Sequence, residues 1–221
     1  MAKLSEAPGI ASILNYKPGV TIADALDKAL YPGLSITAMT VAPSQIEQGA
    51  SAAVTVAWTV SGTITGQTLE GEAVAVGDRS KVFPAVSASN VYDLTVQDAG
   101  APGGAVSASR SVSVTVLPRR FWGVADAAAL GSAGVVALAG SELSSARAKS
   151  LTVEGGAAPG KYAYYAYPAS LGDPASYKIY GFDEVPVKTT VSVTTAAGAT
   201  LSYIVLRSPN KLTGSIPVEI S

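Results

Sequence analysis

The stretch AVTVAWTV, residues Ala53–Val60, alternates large apolar side chains with small or polar ones. The large side chains all fall on even positions: Val54, Val56, Trp58 and Val60. An alternation of this kind predicts a β-strand with one face in a core and the other in solvent. The stretches VYDLTV (Val91–Val96) and RSVSVTVL (Arg110–Leu117) repeat the pattern. Together they predict an antiparallel β-sandwich.

The region around these strands, residues 34–118, has the sequence pattern of an immunoglobulin-like domain. Further strands are predicted at Ser35–Val41 and Lys81–Val86, and glycine or proline turns separate the strands. A tryptophan on an early strand and a YxLxV strand near the end fit that fold. Trp58 is therefore predicted to anchor the core. The segment Glu70-Gly71-Glu72 is predicted to form the tip of a hairpin.

The composition excludes several classes of chemistry. The chain has 221 residues, 15 basic and 16 acidic, and contains neither histidine nor cysteine. It therefore has no Ser-His-Asp triad, no thiolate nucleophile, no disulfide and no zinc-finger site. A net charge of −1 argues against a nucleic-acid binder, which needs a clustered basic surface. The small apolar run Gly131–Gly140 is far shorter than the roughly 20 residues of a membrane helix, so no membrane insertion is expected.

The first 33 residues are interpreted as a separate attachment segment. TIADALDKAL (Thr21–Leu30) has a helical period, with Ile22, Leu26 and Leu30 on one apolar face. Such a short helix is marginal alone in water, so this face is expected to dock. Two docking partners fit the pattern: the chain's own domain and a neighbouring subunit. The opening residues contain no apolar stretch of a secretory signal, which predicts synthesis in the cytoplasm.

Residues 119–221 are predicted to form a second antiparallel β-sandwich. Its strands are predicted over Lys161–Tyr167, Tyr177–Phe182, Val185–Thr195, Leu201–Arg207 and Ser215–Ile220. The opening RRFWG (Arg119–Gly123) predicts a junction with buried aromatic rings and solvent-exposed arginines, with stacking on nucleic acid as the weaker alternative. Ser141–Lys149 is interpreted as a short helix capped by Ser141. Pro217 predicts that the last strand lies at a sheet edge.

Tyrosines concentrate in this second region. Seven of the ten lie between Tyr162 and Tyr203, and KYAYYAY (Lys161–Tyr167) carries four of them. Aromatic rings on both faces of one strand indicate either a central strand of a sandwich or a half-exposed strand, since a tyrosine ring packs while its hydroxyl stays hydrated. In the second case, Tyr165 and Tyr167 form a candidate surface for binding sugars.

The carboxylates form no catalytic motif. A glycosidase needs two carboxylates facing each other across a cleft, whereas the side chains of the adjacent Asp183 and Glu184 diverge. Asp173 and Asp183 do not lie in a calcium-loop sequence. No catalytic residue, cofactor or metal ion is therefore expected.

Five further segments follow one another in a fixed order. They are ALYPG (Ala29–Gly33), RRFWG (Arg119–Gly123), YYAYPASLGD (Tyr164–Asp173), YKIYGFDE (Tyr177–Glu184) and YIVLRSPN (Tyr203–Asn210). In this order they resemble a type of virion protein of tailed bacteriophages, which has a short N-terminal segment, an immunoglobulin-like domain and a C-terminal β domain. The resemblance covers nearly the full length. It implies five folding anchors: Trp122, Tyr164, Tyr165, Pro168 and Gly181.

The resemblance also implies a function. It implies a non-enzymatic structural protein, present in many copies in the tail, baseplate, collar or head decoration of a virion. Residues 1–33 are expected to bind other virion proteins, and residues 119–221 are expected to be exposed. A homo-oligomer is expected, located in the virion after synthesis in the host cytoplasm. The alternative is a carbohydrate- or receptor-binding module that applies the tyrosine-rich strand to a glycan of the host surface.

Overall fold

The computed structural model describes residues 33–101 and 105–221, and β-strands dominate both ranges. The predicted all-β class is confirmed. The predicted docking helix, with Ile22, Leu26 and Leu30, lies outside the described residues. Helical structure within them is confined to a short α-helix, α1 (Ser132–Val136), and one 3-10 turn (Ala169–Leu171).

The chain divides into two compact units. Of the described residues, the first unit contains those up to 42, those from 54 to 83 and those from 90 to 114. The second contains residues 43–53, 84–89 and 115–221. The predicted domain limits at residues 33 and 118 stay predictions.

The first eight strands form two sheets. In chain order they are β1 (Ser35–Ala42), β2 (Gln45–Glu47), β3 (Ala52–Ser61), β4 (Gly66–Leu69), β5 (Glu72–Val74), β6 (Ser80–Val86), β7 (Asn90–Asp98) and β8 (Val106–Leu117). One sheet has the order β1-β3-β6, and the other has the order β2-β8-β7-β4-β5. The β8-β7-β4-β5 run corresponds to the G-F-C-C′ strands of immunoglobulin-like sandwiches. β2 pairs in parallel with the end of β8.

The core of the first unit contains the residues that the alternation predicted. The buried side chains follow the predicted alternation. In β3 they are Val54, Val56 and Trp58, and in β7 they include Leu94 and Val96. The indole Nε1 of Trp58 donates a hydrogen bond to Oε1 of Gln67, 3.1 Å away on β4 in the other sheet. Trp58 is therefore a core anchor that also ties the two sheets together. The Glu70-Gly71 turn between β4 and β5 has the two positive φ angles of a tight hairpin, which confirms the predicted tip.

The second unit is built on nine further strands in two antiparallel sheets. They are β9 (Arg119–Ala125), β10 (Gly140–Leu143), β11 (Lys149–Glu154), β12 (Tyr162–Pro168), β13 (Tyr177–Ile179), β14 (Phe182–Asp183), β15 (Val187–Thr194), β16 (Thr200–Arg207) and β17 (Ser215–Ile220). The five-stranded sheet has the order β10-β9-β12-β16-β15, and the four-stranded sheet has the order β11-β17-β13-β14.

The tyrosine-rich strand β12 is central and buried on both faces. Tyr165 and Tyr167 belong to a cluster that includes Ile216 and Val218 of the four-stranded sheet. Tyr164 and Ala166 face the opposite way, into a second cluster with Val135 of α1. Because strand side chains alternate between faces, one strand contributes to both cores. The central-strand interpretation of KYAYYAY is therefore the correct one.

Three local predictions in the second unit are wrong. Ser141–Lys149 forms no helix: its first residues belong to β10, where Glu142 pairs with Arg120 of β9. Tyr177–Phe182 is a hairpin and not one strand, because the chain turns at Tyr180 and Gly181. A cross-strand ion pair and a tight turn outweigh the local patterns that suggested a helix and a continuous strand.

The third of these predictions concerns Pro217, which lies inside a sheet. β17 pairs with β11 on one side and with β13 on the other. The carbonyl of Pro217 accepts a hydrogen bond from the amide of Tyr180, 3.0 Å away. In a strand, the N–H and C=O of one residue point to the same side, so the missing N–H of proline faces this turn. β13 ends at Ile179, before it reaches the position opposite Pro217, so no hydrogen bond between β13 and β17 is lost.

Candidate interaction site

In the second unit, one outer strand of each sheet and the residues beside it expose large apolar side chains. β14 is the last strand of the four-stranded sheet and β15 is the last strand of the five-stranded sheet. Four residues on and beside them, the apolar edge, are exposed: Tyr180 by 46%, Phe182 by 72%, Val185 by 85% and Val187 by 39%. Exposed apolar residues that concentrate in one segment are typical of interaction surfaces, whereas scattered ones need no explanation.

The turn before β14 determines how this segment is presented. Tyr180 and Gly181 have φ angles of 54° and 82°, as in the two-residue hairpin turns that glycine, asparagine and aspartate prefer. A tyrosine at positive φ carries a steric cost, and two hydrogen bonds hold it there. Its amide donates to Pro217, and its hydroxyl donates to the carbonyl of Thr213 over 3.3 Å. The structure thus fixes Tyr180 in place and turns the chain sharply into Phe182.

An ion-pair network around a buried arginine lies at the start of the second unit, where the sequence predicted solvent-exposed arginines. Arg120 is only 8% exposed, which makes that prediction wrong for this residue, while Phe121 is buried as predicted. The guanidinium of Arg120 pairs with Glu142 and donates to the hydroxyl of Tyr165 at 3.1 Å. It also donates to the carbonyl oxygens of Ala146 and Ala148 at 2.9 and 2.8 Å.

A second cation completes this network. The ammonium of Lys149 lies 2.8 Å from the carboxylate of Glu142. Its hydrogen bond, together with the Arg120 guanidinium, holds the pKa of Glu142 below its ordinary value despite the opposing effect of burial. The buried arginine could have been predicted from the Arg119-Arg120 pair. Adjacent side chains of a strand point to opposite faces, so one of the two arginines must point inward.

The candidate sugar platform is not a surface. Tyr165 is 1% exposed and Tyr167 is 0% exposed, so neither ring can stack on a ligand in solution. Their hydroxyl groups donate to the carbonyl oxygens of Arg147, at 2.7 Å, and Gly172, at 3.1 Å. The prediction of a binding surface at Tyr165 and Tyr167 is therefore wrong, because the four-stranded sheet covers that face of β12.

Burial also changes the acidity of these phenols. Desolvation raises the pKa of Tyr167 and that of Tyr203 from the ordinary 10.0 to about 12. The folded state therefore favours the neutral phenol, and the unfolded state loses the proton first as the pH rises. The stability contributed by these groups is complete below pH 10 and is lost as the pH rises from about 10 to about 12.

We expect Tyr203→Phe to reduce the loss of stability between pH 9 and pH 12, both pH values being rough bounds set by those pKa shifts. The measurement is urea unfolding of the variant and the parent at each pH. Tyr180→Phe is the matched control, because it removes a phenol hydroxyl from a half-exposed side chain of the same unit. Equal losses in Tyr203→Phe and the parent would contradict the prediction.

A shallow groove lies between β9, β10 and β11 of the second unit. Its volume is about 360 Å³, and it is lined by Trp122, Gly123, Val124, Ala139, Gly140, Thr152, Val153 and Glu154. Trp122 is half-buried, and the Lys149 ammonium lies 4.2 Å from the centroid of its ring. The indole lies flat against Gly140, where an added Cβ would overlap the ring. The lining of the groove thus includes one aromatic ring, that of Trp122, and one carboxylate, that of Glu154.

We expect Gly140→Ala to displace Trp122 from this position. Overpacking of this kind costs about 1–3 kcal/mol, and the indole should become more exposed to water. The measurement is the tryptophan emission maximum, together with urea unfolding. Gly131→Ala is the control, since an added Cβ at Gly131 meets nothing within 4 Å. An unchanged emission maximum in Gly140→Ala would show that the ring does not depend on the glycine.

The carboxylates singled out in the sequence do not converge. Asp183 and Glu184 are exposed, and Asp173 pairs with Lys188 at 2.9 Å. Within residues 33–101 and 105–221, no three acidic side chains come close enough together to hold a metal ion. In the same ranges, no helix has the length and apolar character needed to cross a membrane.

No protein-family model matches the chain, and no curated protein matches it.

Proposed function

We propose that the chain is a non-enzymatic structural protein of a tailed-bacteriophage virion, present in many copies and attached through its first 33 residues. In this proposal residues 119–221 face outward, and the particle position is the tail, baseplate, collar or head decoration. The apolar edge carries the proposal on the structural side. A side chain such as Phe182, 72% exposed, is typical of a surface that a neighbour covers.

Two further observations support a structural role. Two phenols with a raised pKa, Tyr167 and Tyr203, are buried and donate hydrogen bonds to backbone carbonyls, so they serve packing. The order of the segments from ALYPG to YIVLRSPN supports the assignment to a virion. The rival proposal of a glycan-binding module loses the platform of Tyr165 and Tyr167, and no other observation favours it.

The proposal is tested on purified particles of the phage that encodes the chain. Mass spectrometry should detect the full-length protein in many copies, and deletion of residues 1–33 should abolish its incorporation. Leu26→Glu with Leu30→Glu should have the same effect, because both residues lie on the predicted apolar face. Asp24→Ala with Lys28→Ala, on the opposite predicted face, is the matched control.

If the wild-type chain is not found in purified particles, the virion assignment is overturned. Normal incorporation of the deletion variant would overturn attachment through residues 1–33.

A further inference from the structure

One arginine of the second unit, Arg207, has no hydrogen-bond acceptor in the described part of the chain. Its Nε is buried without a partner, and none of the ion pairs between described residues includes it. The other five arginines donate to carboxylates or to backbone carbonyl oxygens: Arg79, Arg110, Arg119, Arg120 and Arg147. A partly buried cation is costly unless it is paired, so Arg207 is the arginine that a ligand would stabilise most.

The neighbouring strands hold this side chain in a fixed position. Arg207 is the last residue of β16, at the end of the sheet where β12 begins with Tyr162 and β15 begins with Val187. The Cζ of Arg207 lies over the ring of Tyr162, 4.1 Å from its centroid. The five N–H groups of a guanidinium point outward in its plane, so contact with a ring uses none of them. Tyr162 therefore positions the cation and leaves its donors for an acceptor.

The charges around Tyr162 favour a ligand with a single negative charge. The ammonium of Lys211 lies 5.8 Å from the centroid of the same ring and pairs with the carboxylate of Asp126 at 3.3 Å. Arg207 and Lys211 contribute two positive charges and Asp126 one negative charge, which leaves +1. One carboxylate neutralises this cluster, whereas a phosphate dianion would place an excess negative charge beside Asp126.

An apolar side chain lies next to the arginine. Val187 pairs directly with Arg207 in the register of β15 and β16, and it is 39% exposed. Directly opposite residues of neighbouring strands have Cβ atoms about 4.5–5.5 Å apart on the same face of the sheet. A carboxylate bound to Arg207 therefore brings the group attached to it close to Val187.

We propose that Arg207 forms a binding site for a monocarboxylate that carries a small branched apolar group. The two carboxylate oxygens accept hydrogen bonds from the guanidinium, a pairing that is stronger than one between neutral groups. Tyr162 positions the guanidinium, and Val187 contacts the apolar group. Two sources supply this chemistry: a free carboxylic acid and the C-terminal residue of a polypeptide. Binding at Arg207 requires no virion, so a negative result here leaves the proposed function unaffected.

The test follows the Nε–H signals of the six arginines by NMR in the ¹⁵N-labelled full-length chain, with Arg207→Lys to assign the signal. Isobutyrate should shift the Arg207 signal to saturation, relative to sodium chloride at equal ionic strength. Acetate should bind about three- to tenfold more weakly, because it lacks two apolar carbons. The signal of Arg79 is the control, since its guanidinium already donates to the carbonyls of Val76 and Asp78.

Two further probes distinguish the sources. N-acetylvaline resembles the end of a polypeptide, and its amide, which has no carboxylate, is the control and should not bind. Tighter binding of N-acetylvaline than of isobutyrate assigns the site to a polypeptide terminus, and the reverse order assigns it to a free acid.

Variants test the role of each side chain, with the backbone amide signal of Ser208 as the readout. Arg207→Gln should abolish saturable binding of isobutyrate, whereas Lys178→Gln, which removes a positive charge from the other sheet of the unit, should retain it. Val187→Ser should bind isobutyrate and acetate equally.

Three results would overturn the proposal. Similar, unsaturated shifts of Arg207 and Arg79 would show screening by salt only. Equal affinities of the parent for isobutyrate and acetate would overturn the contact with Val187. Loss of binding in Lys178→Gln as well as in Arg207→Gln would show that general charge, and not Arg207, holds the carboxylate.

Discussion

Replacing Tyr167 with alanine is expected to lower the free energy of unfolding of the second unit by about 3–5 kcal/mol, the cost of removing a large ring from a packed core. The side chain is fully buried on the central strand β12. Its ring lies 5.5 Å from that of Tyr165, and its hydroxyl donates to the carbonyl of Gly172. The substitution leaves a cavity and also an unpaired carbonyl.

Two variants separate these contributions. Tyr167→Phe removes only the hydroxyl and should cost about 1 kcal/mol, the net value of one hydrogen bond. Tyr180→Ala removes a half-exposed ring from the same unit and should cost far less than Tyr167→Ala. Urea unfolding measures all three. A loss of about 1 kcal/mol or less in Tyr167→Ala would show that the ring is not part of the core.

The second large effect is expected at Arg120. Arg120→Leu should lower the free energy of unfolding by several kcal/mol, since each buried acceptor that loses its donor costs about 1–3 kcal/mol. The substitution leaves the carbonyl oxygens of Ala146 and Ala148 without this donor, and Glu142 keeps only Lys149. These groups are connected through Arg120, so the single substitution removes all of these hydrogen bonds at once.

Lys188→Ala is the control for Arg120. It also removes one partner of an ion pair, with Asp173, but both side chains are exposed. Such surface pairs contribute about 0–1 kcal/mol. If Arg120→Leu and Lys188→Ala cost the same, burial of Arg120 does not strengthen the network, and the prediction fails.

The strands of the first unit could be predicted because their pattern is simple. Val54, Val56 and Trp58 alternate with small or polar residues, and a half-buried strand needs no more information than that. The glycine at Gly71 marked a turn for the same local reason. These features depend on neighbours in sequence.

The errors arose where distant partners decide the structure. Glu142 lies in a strand because Arg120, far away in sequence, pairs with it across β9 and β10. Pro217 is accommodated inside a sheet because β13 happens to end beside it. Neither partner can be identified from a local window of sequence.

The candidate site was missed for a related reason. A valine or phenylalanine in a predicted strand is normally assigned to the core, and the sequence does not show which strand lies at the edge of a sheet. Phe182 and Val185 are exposed because β14 and β15 are the outermost strands of their sheets. The sequence left open whether Tyr165 and Tyr167 face a core or the solvent, because a strand with rings on both faces fits either position.

The strand β12 has a consequence for how the second unit unfolds. Together with β16, it supplies alternate side chains to both apolar clusters, with Tyr165 and Leu206 on one side and Tyr164 and Val205 on the other. Neither cluster can open while β12 and β16 stay in place for the other. The two cores are therefore coupled through shared backbone, and the unit should melt in a single cooperative transition despite having two separate hydrophobic clusters.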